Sequence, residues 1–216
     1  MAHASEPELL VLTALRLKSF ALAESVAAAA GLELDRAEPI LADLAERALA
    51  RYREGVLTGW LLTPSGRQLG ESLLAAELEA VGGRAVVEGA YHQFLSLNAD
   101  LLGICTDWQL LGGVDSQTLN DHSDPDHDAS VIARLAVVDD KVGPLLLDLT
   151  GVLDRFGGYR TRLEHALGRV QAGASGGDGW ADWFTKPTID SYHTVWFELH
   201  ENLLATLGVQ RATEGH

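Results

Sequence analysis

Cysteine is nearly absent: Cys105 is the only one in 216 residues, so the chain can make neither an internal disulfide nor a multi-cysteine metal site. Long apolar runs are missing as well. The longest, such as Val26–Ala30 and Pro144–Leu147, fall far short of the roughly 18 to 20 residues a membrane-spanning helix needs, so no membrane partner is expected. Residues 1–20 place Glu6 and Glu8 ahead of a short apolar stretch and lack a basic leader and a small-residue cleavage site. No secretory signal is expected, and the cytoplasm is the default location. Positive charge is scarce, with 16 Lys and Arg against 31 Asp and Glu, a net charge of −15. Nonspecific attraction to nucleic acid or to an anionic membrane should therefore be weak. The deficit grows along the chain, from 7 basic against 12 acidic residues up to residue 80 to 9 against 19 beyond it. No phosphate-binding loop, dinucleotide fingerprint or internal repeat is present.

What is present is ordinary globular usage, 47% hydrophobic and 22% charged, in a length that suits two small domains. The pattern predicts a mainly α protein: residues 1–80, a hinge at Val81-Gly82-Gly83, then a helical domain over 84–210. In the first part, Leu9, Leu12, Ala14 and Leu15 mark one helix, and Leu22, Val26 and Ala29 a second that Gly31 can terminate. Asp35 is placed to cap a third, with Pro39 tolerated near its first turn. The spacing then changes to two short strands, Arg51–Arg53 and Gly59–Leu62, turned around Glu54-Gly55, before Thr63-Pro64 opens another helix.

The stretches Ala23–Leu32, Leu34–Tyr52 and Gly59-Trp-Leu-Leu-Thr-Pro-Ser-Gly-Arg67 together resemble a winged helix-turn-helix domain of bacterial transcription regulators, in the broad style of the MarR and related families. The resemblance covers about residues 6–80, a little over a third of the chain, and its Leu-Thr-Pro-x-Gly-Arg wing exit is its most specific part. It implies that the third helix enters the major groove of double-stranded DNA while the wing touches backbone or minor groove. Arg36, Arg47, Arg51, Arg53 and Arg67 are the residue types that pair with phosphates and guanine edges there. Glu33, Asp35, Glu38, Asp43 and Glu46 on or beside the same helix oppose that reading and leave open a winged helix used for protein contact.

In the second part, Val87, Tyr91, Phe94, Asn98, Leu101, Cys105 and Trp108 recur every four and three residues and predict one long helix. Residues 112–127 should be a loop. A second stripe from Leu135 to Phe156 must kink or split at Gly143-Pro144, a shorter helix spans Tyr159–Val170, residues 173–179 form a connector, and a last helix starts near Pro187 and stops at Gly208. Four helical segments suggest a bundle that dimerises. Asn98, Asp107, Trp108, Tyr192, His193 and Trp196 supply the aromatic walls and few polar groups that a small-molecule effector pocket needs, although aromatics at helical spacing also make plain core.

Three further motifs lead nowhere specific. Asp124, Asp126 and Asp128 match the start of a calcium loop, but Ala129 and Leu135 stand where glycine and the bidentate glutamate belong, so a solvated acidic loop that caps the next helix is expected instead. His193 and His200 lie two turns apart, too far to share a metal, and Asp190 is a hydrogen-bond partner for His193 by spacing. Gly173-Ala-Ser175-Gly-Gly177 fits a nucleophile elbow only formally. No cofactor, no metal and no catalytic residue are expected; an enzyme would need His92, Asp107, His193 or His200 to converge in one cleft. The expectation is a homodimeric DNA-binding transcriptional regulator with a ligand-sensing helical half; the alternative is an acidic protein-interaction module that binds no DNA.

Overall fold

The computed structural model describes residues 2–56, 58–112, 118–173 and 179–210. Among them the regular structure is nine α-helices, one short 3-10 turn and a two-stranded antiparallel hairpin, so the mainly helical class holds. The chain divides into two compact units. Residues 174–178, which hold the Ser175 motif and most of the expected connector, lie outside the described residues, as do Leu57 in the hairpin turn and residues 113–117 of the expected loop.

The first unit begins with α1 (Pro7–Lys18), α2 (Ala23–Ala30) and α3 (Leu34–Glu46). Val11, Leu12 and Leu15 of α1 are wholly enclosed against Val26 of α2 and Leu41 and Leu44 of α3. Burial of each such side chain contributes about 1.5–3 kcal/mol before chain entropy is set against it. At the end of α2, Gly31 adopts φ +64°, its own N–H bonds to Ala28 O, and the Leu32 N–H reaches back to Ala27 O; this left-handed cap is the stop the sequence marks. The third helix differs from expectation in its start. Its N-cap is Glu33, which makes no side-chain cap, and Asp35 sits inside the first turn, where its charge still suits the helix dipole.

After α3 the chain turns through Ala48, at φ +55°, into β1 (Ala50–Arg53), which pairs with β2 (Gly59–Leu62) in the register Ala50↔Leu62 to Arg53↔Gly59. Ala21, between α1 and α2, exchanges both backbone hydrogen bonds with Trp60 (2.7 and 3.1 Å), adding one bridge of a third strand to the free edge of β2. The helix α4 (Pro64–Ala80) is fixed to this hairpin by Thr63. Its Oγ1 accepts the Gly66 N–H at 3.1 Å as a helix cap and lies 2.9 and 3.1 Å from the carbonyls of Ala48 and Leu49, to which it can donate. Only a residue without Cβ fits at Gly66, because that atom would lie 1.9 Å from the Leu49 carbonyl oxygen.

This unit does not end at the Gly82-Gly83 hinge. It runs to Glu88 and takes in Thr150–Phe156 and the described residues from Glu201 onward. The reason is packing: Val152 occupies the space beside Gly83, His3 bridges to Leu153, Arg155 sits 3.4 Å from the buried Glu77 carboxylate, and Ala205 joins Leu9 and Leu74 in a small apolar cluster.

The second unit holds most of α5 (Arg84–Gln109), α6 (Pro125–Val152) and α9 (Tyr192–Leu207), together with α7 (Gly157–Gly173) and the single turn α8 (Asp182–Thr185). The helix does not split at Gly143-Pro144: α6 runs through Pro144. Proline costs it one ladder hydrogen bond, but Val142, Leu145, Leu146 and Leu149 are all buried and hold the helix on both sides. The last helix starts at Tyr192 rather than near Pro187, because the Ser191 hydroxyl accepts the Thr194 N–H and makes the cap there. Polar contacts tie these helices together. The Trp196 Nε1–H donates to Asn98 Oδ1 at 3.0 Å, the Tyr192 hydroxyl donates to Asp139 at 3.2 Å, and Arg160 reaches the same carboxylate at 3.1 Å.

Candidate nucleic-acid interface and ligand cleft

The five arginines singled out in the sequence fall into two groups. Arg47, at the C-terminus of α3, is committed: its guanidinium donates to both oxygens of Glu8 at 3.0 and 3.1 Å and to Asp43 at 2.7 Å. The hydrogen bonds it donates to Glu8, then to Asp43, hold its pKa above the usual arginine value. Arg36 is exposed near the start of α3, Arg51 and Arg53 project from β1, and Arg67 is exposed in the first turn of α4. Among the described residues these four side chains make no ion pair, so their charge is available. Strand alternation puts Arg51 and Arg53 on one side of the hairpin and leaves Tyr52 to pack on its cross-strand partner Trp60, ring centres 5.3 Å apart.

The outward face of α3 is acidic. Asp35, Glu38, Asp43 and Glu46 are exposed on it, against Arg36 and the already neutralised Arg47. Carboxylates there repel phosphate, so the cationic part of this unit is the hairpin and the start of α4 rather than the helix the resemblance points to.

The six residues expected around an effector have separate partners among the described residues. Asn98, Tyr192 and Trp196 are satisfied inside the second unit, with Trp196 also stacked on Phe94 at 4.7 Å. Burial pushes the Tyr192 hydroxyl well above its ordinary pKa. Asp107 pairs with Arg134, and its backbone carbonyl meets His127 Nε2. His193 is half-buried, its pKa lowered by desolvation. Asp190 accepts from Arg162 Nε at 2.8 Å. His200 packs on Phe94 and Tyr91, and the exposed His92 ring lies 5.8 Å from that of Tyr91 as well. Burial also pushes the Cys105 thiol up to about 12, which leaves it unreactive at neutral pH.

Of the six, Trp108 borders a cleft formed by described residues. It is open, has a volume of about 620 Å³, and lies where the end of α5, the segment around Leu119–His122, and α8 meet. At its edge is a polar group that the sequence reading passed over as solvated loop. Asp128 is 3% exposed, and its carboxylate accepts from Asn120 Nδ2 at 2.8 Å and lies 3.1–3.2 Å from His122 Nδ1. The Asn120 amide nitrogen lies 2.8 Å from Asp128 Oδ1, 3.1 Å from the Trp108 carbonyl and 3.3 Å from His122 Nδ1, so the three side chains form one polar cluster. His122 holds a left-handed φ of +60°, pinned by its N–H to Asn120 Oδ1, and its ring packs 4.4 Å from that of Trp108. Asp124 does cap α6 as expected, accepting from the Asp126 and His127 N–H groups; the three aspartates do not converge on a calcium geometry. Among the described residues no group of three His, Cys, Asp or Glu could hold a metal ion, and no helix is long and apolar enough to cross a membrane.

Comparison with known protein families, with curated proteins and with solved structures finds no match to this chain.

Proposed function

We propose that the first unit is a winged helix-turn-helix module that binds double-stranded DNA, and that the chain is a homodimeric transcriptional regulator. The order helix, bridging strand at Ala21, helix, turn, helix, hairpin supports the winged layout. The observation that carries the DNA reading is the pair Arg51 and Arg53, presented together on one side of the hairpin without a carboxylate partner among the described residues. Phosphate contacts come mainly from this wing and Arg67, and α3 contributes its N-terminal Arg36 rather than its acidic C-terminal half. A dimer would set two such modules on half-sites about 34–36 Å apart, and an effector acts by favouring one spacing.

The test is selection of bound fragments from a sheared-genome library, with the wild type and with Arg51→Gln/Arg53→Gln, followed by titration of any selected fragment at several salt concentrations. Enrichment by the wild type, with the log-log salt slope falling by roughly 0.9 for each phosphate contact removed, supports the reading. No enrichment at low salt sinks it.

The acidic outer face of α3 favours a second reading, in which this unit meets a basic surface on a protein partner. In that case Glu38→Lys/Asp43→Lys abolishes the association, whereas on the DNA reading the same change tightens binding.

A further inference from the structure

We propose that the outer face of the hairpin docks on the outer face of α3 in a second copy of this chain, an association that covers the wing arginines and so competes with DNA. Both faces belong to the first unit. Strand alternation fixes what the hairpin face carries. Ala21, Trp60 and Tyr52 stand in one row across the sheet, with Ala21 buried and Trp60 packed against the core. Their neighbours in sequence point the other way: Arg51 and Arg53 of β1, Leu61 of β2, and Phe20 and Leu22 of the segment that bridges β2. This face therefore sets two guanidiniums, without ion-pair partners among the described residues, beside three apolar side chains. Leu22 is 49% exposed, and Phe20 and Leu61 are half-buried.

The outer face of α3 is its chemical complement. Asp35, Glu38 and Glu46 are exposed and make no ion pair among the described residues, and the exposed Pro39 and Ala42 lie between them on the same stripe. Carboxylates around a small apolar strip thus meet guanidiniums around a larger one, and charge and apolar surface match in one contact. Arg51 and Arg53 stand about 7 Å apart along their strand, and Asp35 and Glu38 about 5 Å apart along their helix, a difference that the long arginine side chains absorb. Exposed ion pairs alone contribute little, so the apolar strip is needed to hold the contact. A second copy is the partner this match names, because each chain carries both halves, and a net charge of −15 disfavours adhesion of copies wherever such a local match is missing.

The competition with DNA rests on the regulator reading; the association itself does not, and it is measured without DNA. Sedimentation of the full-length protein is followed at rising concentration in about 0.15 M and about 1 M salt, between which the screening length falls from about 8 to about 3 Å. The same is done for Arg51→Glu/Arg53→Glu, for Glu38→Arg/Glu46→Arg, for Leu22→Ser, and for an equimolar mixture of the two charge-reversed proteins. All substituted positions are exposed, and an unchanged thermal midpoint checks each fold. The wild type is expected to gain mass reversibly with concentration at the lower salt and to lose that gain at the higher. Each charge-reversed protein alone should associate at least about ten-fold more weakly, with Leu22→Ser in between, and the mixture should recover wild-type association. Both reversed proteins stay strongly negative, so overall attraction does not bring them together. A wild type that gains no mass, a reversed protein that associates like the wild type, or a mixture no better than its parts would overturn the proposal. A chain that selects DNA but never associates in this way loses only the contact; one that associates through these faces but selects no DNA loses only the regulator.

Discussion

Arg47 closes the end of α3 by placing its guanidinium against both carboxylate oxygens of Glu8 on α1, 39 positions earlier in the chain. Of the arginines marked by sequence as DNA contacts, it is the one that already has a full set of anionic partners. Arg47→Ala should therefore change DNA affinity little, whereas Arg51→Ala should weaken it clearly and lower the salt slope by roughly 0.9. Glu8→Ala/Asp43→Ala should release Arg47 and tighten binding. Fluorescence anisotropy on one selected fragment at three salt concentrations separates the three variants, and an Arg47→Ala loss as large as that of Arg51→Ala would contradict the grouping.

The joint between hairpin and α4 should be the most sensitive point of the first unit. Gly66→Ala forces a methyl into the Leu49 carbonyl and is expected to cost about 3 kcal/mol or more, since backbone must move on both sides. Thr63→Ala removes a helix cap and is expected to cost roughly 1–2 kcal/mol. Urea unfolding ranks them, and a neutral Gly66→Ala would show the turn to be more pliant than drawn.

Ala48 offers the opposite change. It holds φ +55° at the end of α3, where the Leu49 N–H bonds to Leu44 O in the manner of a left-handed cap, a position where a side chain is penalised. Ala48→Gly should stabilise the protein by roughly 0.5–1 kcal/mol, read as a higher urea midpoint at unchanged slope.

His193 should make the protein weaker in mild acid. Desolvation lowers its pKa in the folded state from the usual 6.5, so as pH falls through that value the unfolded chain binds the proton first. The unfolded state is then favoured, and stability declines below about pH 6.5. His193→Gln should flatten that part of the stability curve, and an unchanged slope would remove His193 from the account.

Much of the first unit was legible because its punctuation is local. Gly31, the change of spacing after Leu49 and the Thr63-Pro64 pair each act within a few residues of themselves, and each is found where the pattern put it. The cap at Asp35 and the start at Pro187 were misplaced: α3 begins after Glu33, which makes no side-chain cap, and α9 begins where the Ser191 hydroxyl accepts the Thr194 N–H. The His122–Asp128 pair was not legible. Nothing in the run Asn120–Asp128 distinguishes Asp128 from Asp124 or Asp126, and only the fold, which brings Asn120 and His122 onto its carboxylate, buries Asp128 while Asp124 and Asp126 stay exposed. The stripe from Val87 to Trp108 marked a long helix correctly, but periodicity says nothing about which partner Asn98 would meet, and Trp196 lies 98 positions away.

The first unit is assembled from three separate stretches of chain, and this limits how it can be made or exchanged. A ribosome that has delivered residues 1–88 has not yet delivered Val152, Arg155 or Ala205, so Glu77 waits in the nascent chain without its cation and Leu9 and Leu74 remain partly uncovered. Completion comes only once Ala205 has been delivered. For the same reason this segment is not a cassette: recombination that carried residues 1–80 alone onto another protein would leave behind the pieces that finish its core, so its inheritance is tied to that of the helical half.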